Sequence, residues 1–136
     1  MPRAPIRVMV VDDHPDVRRV LRGVLETAGG IEVCGEAGSV AESSLVINRT
    51  EPDIAIIDLG LPDGNGVSVA RELRARWPAA QVVILTSADE EEAERATVAA
   101  GAATYLLKQV RGAAIVETVR SLADDRGAVG PAVAPA

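Results

Sequence analysis

Five short runs rich in Val, Ile and Leu recur along the chain at nearly even intervals, and this rhythm constrains the fold more than any other feature. They are Ile6–Val11, Ile31–Ala37, Ile54–Asp58, Gln81–Thr86 and Thr104–Leu107, with starts 25, 23, 27 and 23 residues apart. Most are apolar on both faces for most of their length, as parallel strands covered by helices must be. Each gap leaves room for one crossover helix. Strict alternation of this kind predicts an α/β fold: a doubly wound, five-stranded parallel sheet with helices on both faces and right-handed crossovers.

The intervening segments carry helix signals. In the first, Val17, Val20, Leu21, Val24, Leu25 and Ala28 recur at steps of three and four, and Gly29 and Gly30 end it. Ser39 followed by Glu42, and Asp89 followed by Glu92, have capping-box spacing. A third helix is expected to begin near Gly66, to bury Val67, Ala70 and Leu73, and to stop at Trp77 before Pro78. The fourth ends at Gly101 and has a thin apolar face of Ala93, Ala96 and Ala100. The fifth buries Ile115, Val119 and Leu122. From Asp124 onward Ala, Gly and Pro dominate, so residues 1–123 are expected to form one domain and 124–136 the start of a flexible linker.

Composition narrows the function. A chain of 136 residues is one ordinary domain. Trp77 and Tyr105 are its only aromatic side chains, which leaves nothing to stack on a flavin or on bases. The net charge is -6, and no Lys/Arg-rich stripe is present, so the chain itself is not expected to bind DNA. No apolar run approaches membrane-spanning length and no secretion signal is visible, so a cytoplasmic protein without membrane contact is expected. Cys34, the single cysteine, is expected to be a small buried hydrophobe.

In a doubly wound sheet, function collects at the carboxyl ends of the strands. Asp12 and Asp13 follow the first strand, Asp58 ends the third, Thr86 and Ser87 end the fourth and Lys108 follows the fifth. Glu36 lies near the end of the second, with no evident role. Three carboxylates crowded together repel one another, and each is costly to bury as a charge. A divalent cation removes that conflict, and carboxylate oxygen suits Mg²⁺. A carboxylate facing such an ion can attack phosphorus and form an acyl phosphate. Lys108 would neutralise the phosphoryl oxygens, and Thr86 would donate a hydrogen bond to one of them.

The segments VVDDHP, IIDLGLPDGNG, VVILTSA and TYLLK, in this order and at strand ends, closely resemble the receiver domains of two-component response regulators. The resemblance covers Ile6 to about Ala123. It implies a flavodoxin-like (βα)5 fold with strand order 2-1-3-4-5. It also implies phosphorylation of Asp58 by a sensor histidine kinase, with Mg²⁺ as cofactor. The acidic pair falls on Asp12 and Asp13, the second touching the metal directly. Gly60 lends the metal its backbone carbonyl. Thr86 is the switch hydroxyl, Lys108 the phosphate-sensing lysine and Tyr105 the rotating aromatic. Catalysis is confined to the protein's own phosphorylation and dephosphorylation. VDDH, GEAGS, LPDGNG and GAATYLLK resemble the NarL/FixJ branch, and within it the dormancy or hypoxia regulators of actinobacteria. That branch implies a helix-turn-helix output domain C-terminal to the receiver, and dimers formed on phosphorylation. Two positions depart from the family pattern: Gln109, where many receivers have a cis-proline, and Thr104, where glycine is usual. A trans peptide is expected at Gln109.

Each residue also has a plainer reading. Asp12 and Asp13 alone would be helix-capping loop acids. Asp58 could belong to the turn at Leu61, Pro62, Asp63 and Gly64. His14, the only histidine, invites a phosphohistidine or metal-ligand role, but is read as a loop or first-turn residue beside the site that tunes its electrostatics. The run Glu90, Glu91, Glu92 and Glu94 is read as a solvated face suited to a helix N-terminus, with partner recognition as the secondary reading. A phosphatase of the haloacid dehalogenase type would need a second acid at Gly60, which cannot supply a proton. A stand-alone or phosphorylation-independent receiver acting as an interaction module remains the other reading, although proteins without phosphorylation usually lose an acid, the hydroxyl or the lysine.

Overall fold

The computed structural model describes residues 4–127, with side chains through Asp124. Its long strands are β1 (Ile6–Val11), β2 (Ile31–Ala37), β3 (Ile54–Asp58), β6 (Gln81–Thr86) and β7 (Thr104–Leu107). Two further two-residue strands, β4 (Gly60–Leu61) and β5 (Gly64–Asn65), form a small antiparallel hairpin directly after β3. The helices are α1 (Pro15–Thr27), α2 (Val40–Thr50), α3 (Gly66–Arg76), α4 (Glu90–Ala100) and α5 (Gly112–Gly127). The main sheet is parallel with order β2-β1-β3-β6-β7. Counting only its own five strands, that is the expected 2-1-3-4-5.

The alternation of the pleat divides the core in two. Met9, Val11, Ala55, Ile57, Val82 and Ile84 face α2, α3 and α4, together with Ile47, Val69 and Leu73. Val8, Val10, Ile54, Ile56, Val83 and Leu85 face α1 and α5, together with Leu21, Leu25, Ile115 and Val119. Each fully buried Leu or Ile contributes about 1.5–3 kcal/mol over its exposed state, so these two layers account for the fold without aromatic bulk.

Both expected caps form. Ser39 accepts from the Glu42 amide at 3.1 Å, and Asp89 from the Glu92 amide at 2.8 Å. Glu42 reaches back to the Gly38 amide at 2.6 Å. Gly101 caps α4 with φ of +66°, a conformation that suits a residue without Cβ. The peptide bonds of the described residues, including that before Gln109, are trans.

Four expectations need correction. Val20 is 63% exposed, because it lies about 100° around the helix from Leu21 while Leu25, Val17 and Ala28 lie within about 40°. In α3 the fully buried valine is Val69, whereas Val67 is half-buried at the helix start. Helix α5 continues through residues 124–127, which had been assigned to the linker, since no helix breaker intervenes before Gly127. The remainder of that segment lies outside the described residues. Cys34 is half-buried on the edge strand β2, and burial pushes its thiol up from the ordinary value.

Candidate functional site

The backbone delivers the charged residues to one edge of the sheet. β1 and β3 are adjacent and in register, with Val11 opposite Ile57, so Asp12 and Asp58 emerge side by side. β6 flanks β3 on its other side and brings in Thr86; β7 follows and brings in Lys108. Asp12, Asp58 and Thr86 are buried. Lys108 Nζ lies 3.0 Å from Asp58 Oδ2, to which it donates a hydrogen bond, and 3.0 Å from Asp12 Oδ2. Burial pushes the Asp58 carboxyl above its usual range; the Lys108 hydrogen bond opposes this and the Asp12 charge adds to it. For Lys108 burial acts downward, but the facing Asp12 and Asp58 carboxylates prevail and hold the ammonium above its ordinary value.

One lysine does not satisfy these acids. Among the described residues, buried Asp12 Oδ2 meets the Lys108 ammonium alone, and buried Asp13 Oδ1 meets the His14 ring at 3.1 Å. Asp13, unlike Asp12, is partly open to solvent, with its side chain 33% exposed. Ligand atoms of Asp12, Asp13, His14 and Asp58 all lie within 4.8 Å of one another. Hard carboxylate oxygens converging with unmet acceptor capacity are a donor set that suits a small divalent cation.

The rim of the cleft is formed by His14, Leu59, Gly60, Asn65, Ser87, Ala88 and Glu92. The Gly60 amide approaches Asp58 Oδ1 at 3.4 Å. Thr86 Oγ1 accepts from the Ala88 amide at 3.0 Å, which leaves its proton free to be donated. Tyr105 lies opposite Ile84 in the β6–β7 ladder, two residues before the partner of Thr86, so both side chains share one face of the sheet. Tyr105 is half-buried against that layer; desolvation, with Glu90 and Glu94 nearby, holds its hydroxyl above its usual value.

The structure thus brings together Asp12, Asp13, Asp58, Thr86 and Lys108, with Gly60 at the rim and Tyr105 behind. His14 stands beside the site as expected, its Nδ1 2.9 Å from Asp12 Oδ1 and 3.1 Å from Asp13 Oδ1. Two supporting features were not anticipated. Glu36 holds α1 to β2 through Arg22 at 2.7 Å and Arg18 at 3.3 Å, and Arg18 also donates to the Asp12 carbonyl. Asp63, at the tip of the hairpin after Asp58, accepts from the Val40 and Ala41 amides at 2.7 and 3.1 Å. These bonds tie the hairpin to the start of α2 and hold the Asp63 carboxyl below its ordinary range.

Residues 8–120 match the sequence profile of the response regulator receiver domain. The chain belongs to that family. The receiver is 40% identical over 129 residues to the DNA-binding transcriptional activator DevR/DosR of Mycobacterium tuberculosis, covering 90% of this chain and 59% of the relative. It thus spans somewhat less than three-fifths of that relative's length. The receiver domain of the putative response regulator NarL of M. tuberculosis superposes with a TM-score of 0.82 at 31% identity, over 90% of this chain and 98% of the other. A CheY-like receiver from Methanospirillum hungatei gives a TM-score of 0.83 at 24% identity, covering 90% and 97% of the two chains, and supports the flavodoxin-like fold. Together these similarities assign the receiver to the NarL/FixJ-like branch, with kinship to an actinobacterial regulator. No helix among the described residues is long and apolar enough to cross a membrane.

Proposed function

We propose that this receiver takes a phosphoryl group on Asp58 from the phosphohistidine of a sensor histidine kinase, and so switches the output of a cytoplasmic transcriptional regulator. The observation that carries the reading is the contact of Lys108 with both Asp58 and Asp12, in a cleft where the Asp12, Asp13 and Asp58 carboxylates converge. A carboxylate Oδ of Asp58 attacks phosphorus in line, the P–N bond of the donor breaks, and an acyl phosphate forms. Mg²⁺, when bound, would draw charge from the phosphoryl oxygens; Asp13, Asp12, Asp58 and the Gly60 carbonyl would hold it. Lys108 exchanges its Asp58 contact for a phosphoryl oxygen, and the Thr86 hydroxyl donates to another. Apart from this self-directed reaction and its reversal by water, no turnover is assigned to the receiver.

Thr86 and Tyr105 transmit the change. Drawing Thr86 toward the phosphoryl group opens space on the sheet face it shares with Tyr105, and the ring turns inward. Phosphate drives this only through its differential affinity for the two states. The receiver unit ends with α5, and in the whole protein a helix-turn-helix domain follows it. Phosphorylation changes how the receiver associates with itself, which would set two such domains on paired half-sites. The receiver's own charge of -6 argues against direct contact with DNA.

The test is intact-mass measurement after incubation with acetyl phosphate and Mg²⁺. One phosphoryl adduct is expected, absent in Asp58→Asn and in excess EDTA; an adduct that persists in either overturns the reading. Thr86→Ala should still be phosphorylated but show smaller NMR shifts over α4, β7 and α5. Sedimentation with and without beryllofluoride tests the change in association.

A further inference from the structure

Glu36 pairs with Val10 in the β1–β2 ladder, two residues before the acids begin, yet it lines no wall of the Asp58 cleft. Its carboxylate is turned to α1. One oxygen lies 3.3 Å from Arg18 Nε, and the other accepts from Arg22 Nε at 2.7 Å. Arg18 stands in the first turn of α1. A cation at that end of a helix opposes the helix dipole, so helix stability does not account for it.

The guanidinium of Arg18 is instead divided between two partners. Its Nε faces Glu36, and its Nη1 donates to the backbone carbonyl of Asp12. Gly38 leaves the room for this arrangement, since a Cβ there would stand 3.0 Å from Arg18 Nη1. The carbonyl that Arg18 grips belongs to the peptide joining Asp12 to Asp13. On the other side of Asp12, its amide donates to the Ala37 carbonyl at 3.0 Å. Each peptide unit is planar, so holding both of those that flank Asp12 fixes its two soft dihedrals. The direction in which Asp13 leaves the strand is fixed with them. A charged donor holds a carbonyl about twice as strongly as a neutral one.

We propose that Arg18, anchored by Glu36, is a positioning residue for the divalent cation: it sets the Asp12–Asp13 peptide so that the Asp13 carboxylate stays in the cleft with those of Asp12 and Asp58. The inference rests on the phosphoacceptor reading for the presence of the ion, and on the contacts of Arg18 for the rest. Arg18 acts through the backbone, from behind the acids. The planar fork of arginine reaches the carbonyl and Glu36 at once, whereas a lysine ammonium is a single point of charge.

The experiment is calorimetric titration of Mg²⁺ into the parent chain and the variants Arg18→Met, Arg18→Lys and Arg22→Met. Arg22 shares Glu36 but makes no contact with Asp12 among the described residues, so it separates positioning from a simple tie between α1 and β2. Affinity is expected to fall about tenfold or more in Arg18→Met, as for other residues that orient metal ligands. Arg18→Lys should fold and still bind Mg²⁺ more weakly than the parent. Arg22→Met should stay within about twofold of the parent, as for a surface change. In phosphorylation by acetyl phosphate, the Mg²⁺ concentration for half-maximal rate should rise in Arg18→Met far more than the rate at saturating Mg²⁺ falls. Parent-like Mg²⁺ affinity in Arg18→Met, or in Arg18→Lys if the methionine variant fails to fold, overturns the role of Arg18 while leaving the metal site. An equal loss in Arg22→Met also overturns it. Failure of the parent chain to bind Mg²⁺ overturns the reading beneath it.

Discussion

Gly66 lies so close to the backbone carbonyl of Asp58 that a Cβ on Gly66 would overlap that oxygen. It would also press on Ile57 Cγ2. The first residue of α3 is therefore packed against the end of the strand that carries the central acid, and the Gly66 amide donates to the Leu59 carbonyl at 2.9 Å.

Gly66→Ala is expected to destabilise the receiver by about 1–3 kcal/mol, the usual range for overpacking a close contact. The backbone of Asp58 or the start of α3 must move to admit the methyl group. Denaturant unfolding measures the loss; a variant within 0.5 kcal/mol of the parent (about the noise of a neutral surface change) would refute the contact.

Lys108→Met should cost about 1–3 kcal/mol at pH 7, since it leaves buried Asp58 and Asp12 without their cation. The deficit should shrink as pH falls. Burial already raises the Asp58 carboxyl, and loss of Lys108 raises it further. An acid with a folded pKa above its unfolded value costs stability where it is ionised, and that cost disappears as pH drops through the folded pKa. Unfolding curves at pH 7 and pH 5 decide the matter; an equal deficit at both contradicts the argument.

Asp13 and Asp12 should differ toward metal. Asp12 is buried and engaged by Lys108, whereas Asp13 has no lysine contact and opens to solvent. Asp13→Ala is expected to weaken Mg²⁺ binding more than Asp12→Ala, by about tenfold or more relative to the parent. Calorimetric titration of the two variants checks the order.

Asp63→Ala should loosen the hairpin after Asp58 from α2. Its carboxylate is stabilised by two amides, so the folded pKa lies below the unfolded one. Its contribution is present above the ordinary carboxylate pKa and is lost as pH falls through the depressed folded value. The difference in Tm between parent and variant should therefore hold from pH 6 to 8 and close under acid conditions. A gap that stays constant into acid would show that the charge is not what caps α2.

The long strands were legible to the residue because each is an unbroken apolar run between polar punctuation. The hairpin was not, since two-residue strands have no periodicity to detect. Asp12, Asp13, Asp58, Thr86 and Lys108 could be collected from strand ends alone, because parallel strands deliver their C-termini to one edge. His14 could be placed beside the site because it follows the acidic pair directly, whereas its contacts with both acids depend on the local backbone. Glu36 and Asp63 owe their partners to helices packed from elsewhere in the chain, Arg22 and Arg18 of α1 and the start of α2. Val20 failed because a stripe of valines can be wider than the surface it packs on.

Helix α4 is fastened unequally. At its C-terminal end Arg71 donates to the Ala99 carbonyl at 3.1 Å and Arg74 to the Gly101 carbonyl at 2.7 Å, both from α3. Its buried side offers mainly the small side chains Ala93, Ala96 and Ala100, which interlock little with the sheet. The helix is in effect a lever pinned at Gly101, with its other end, capped by Asp89, beside the Thr86 loop. Eleven residues give an arm of about 16 Å at 1.5 Å per residue. A tilt of about 5° would carry Glu90 through about 1.4 Å, so a displacement too small to repack the core would still redraw the acidic surface that solvent meets.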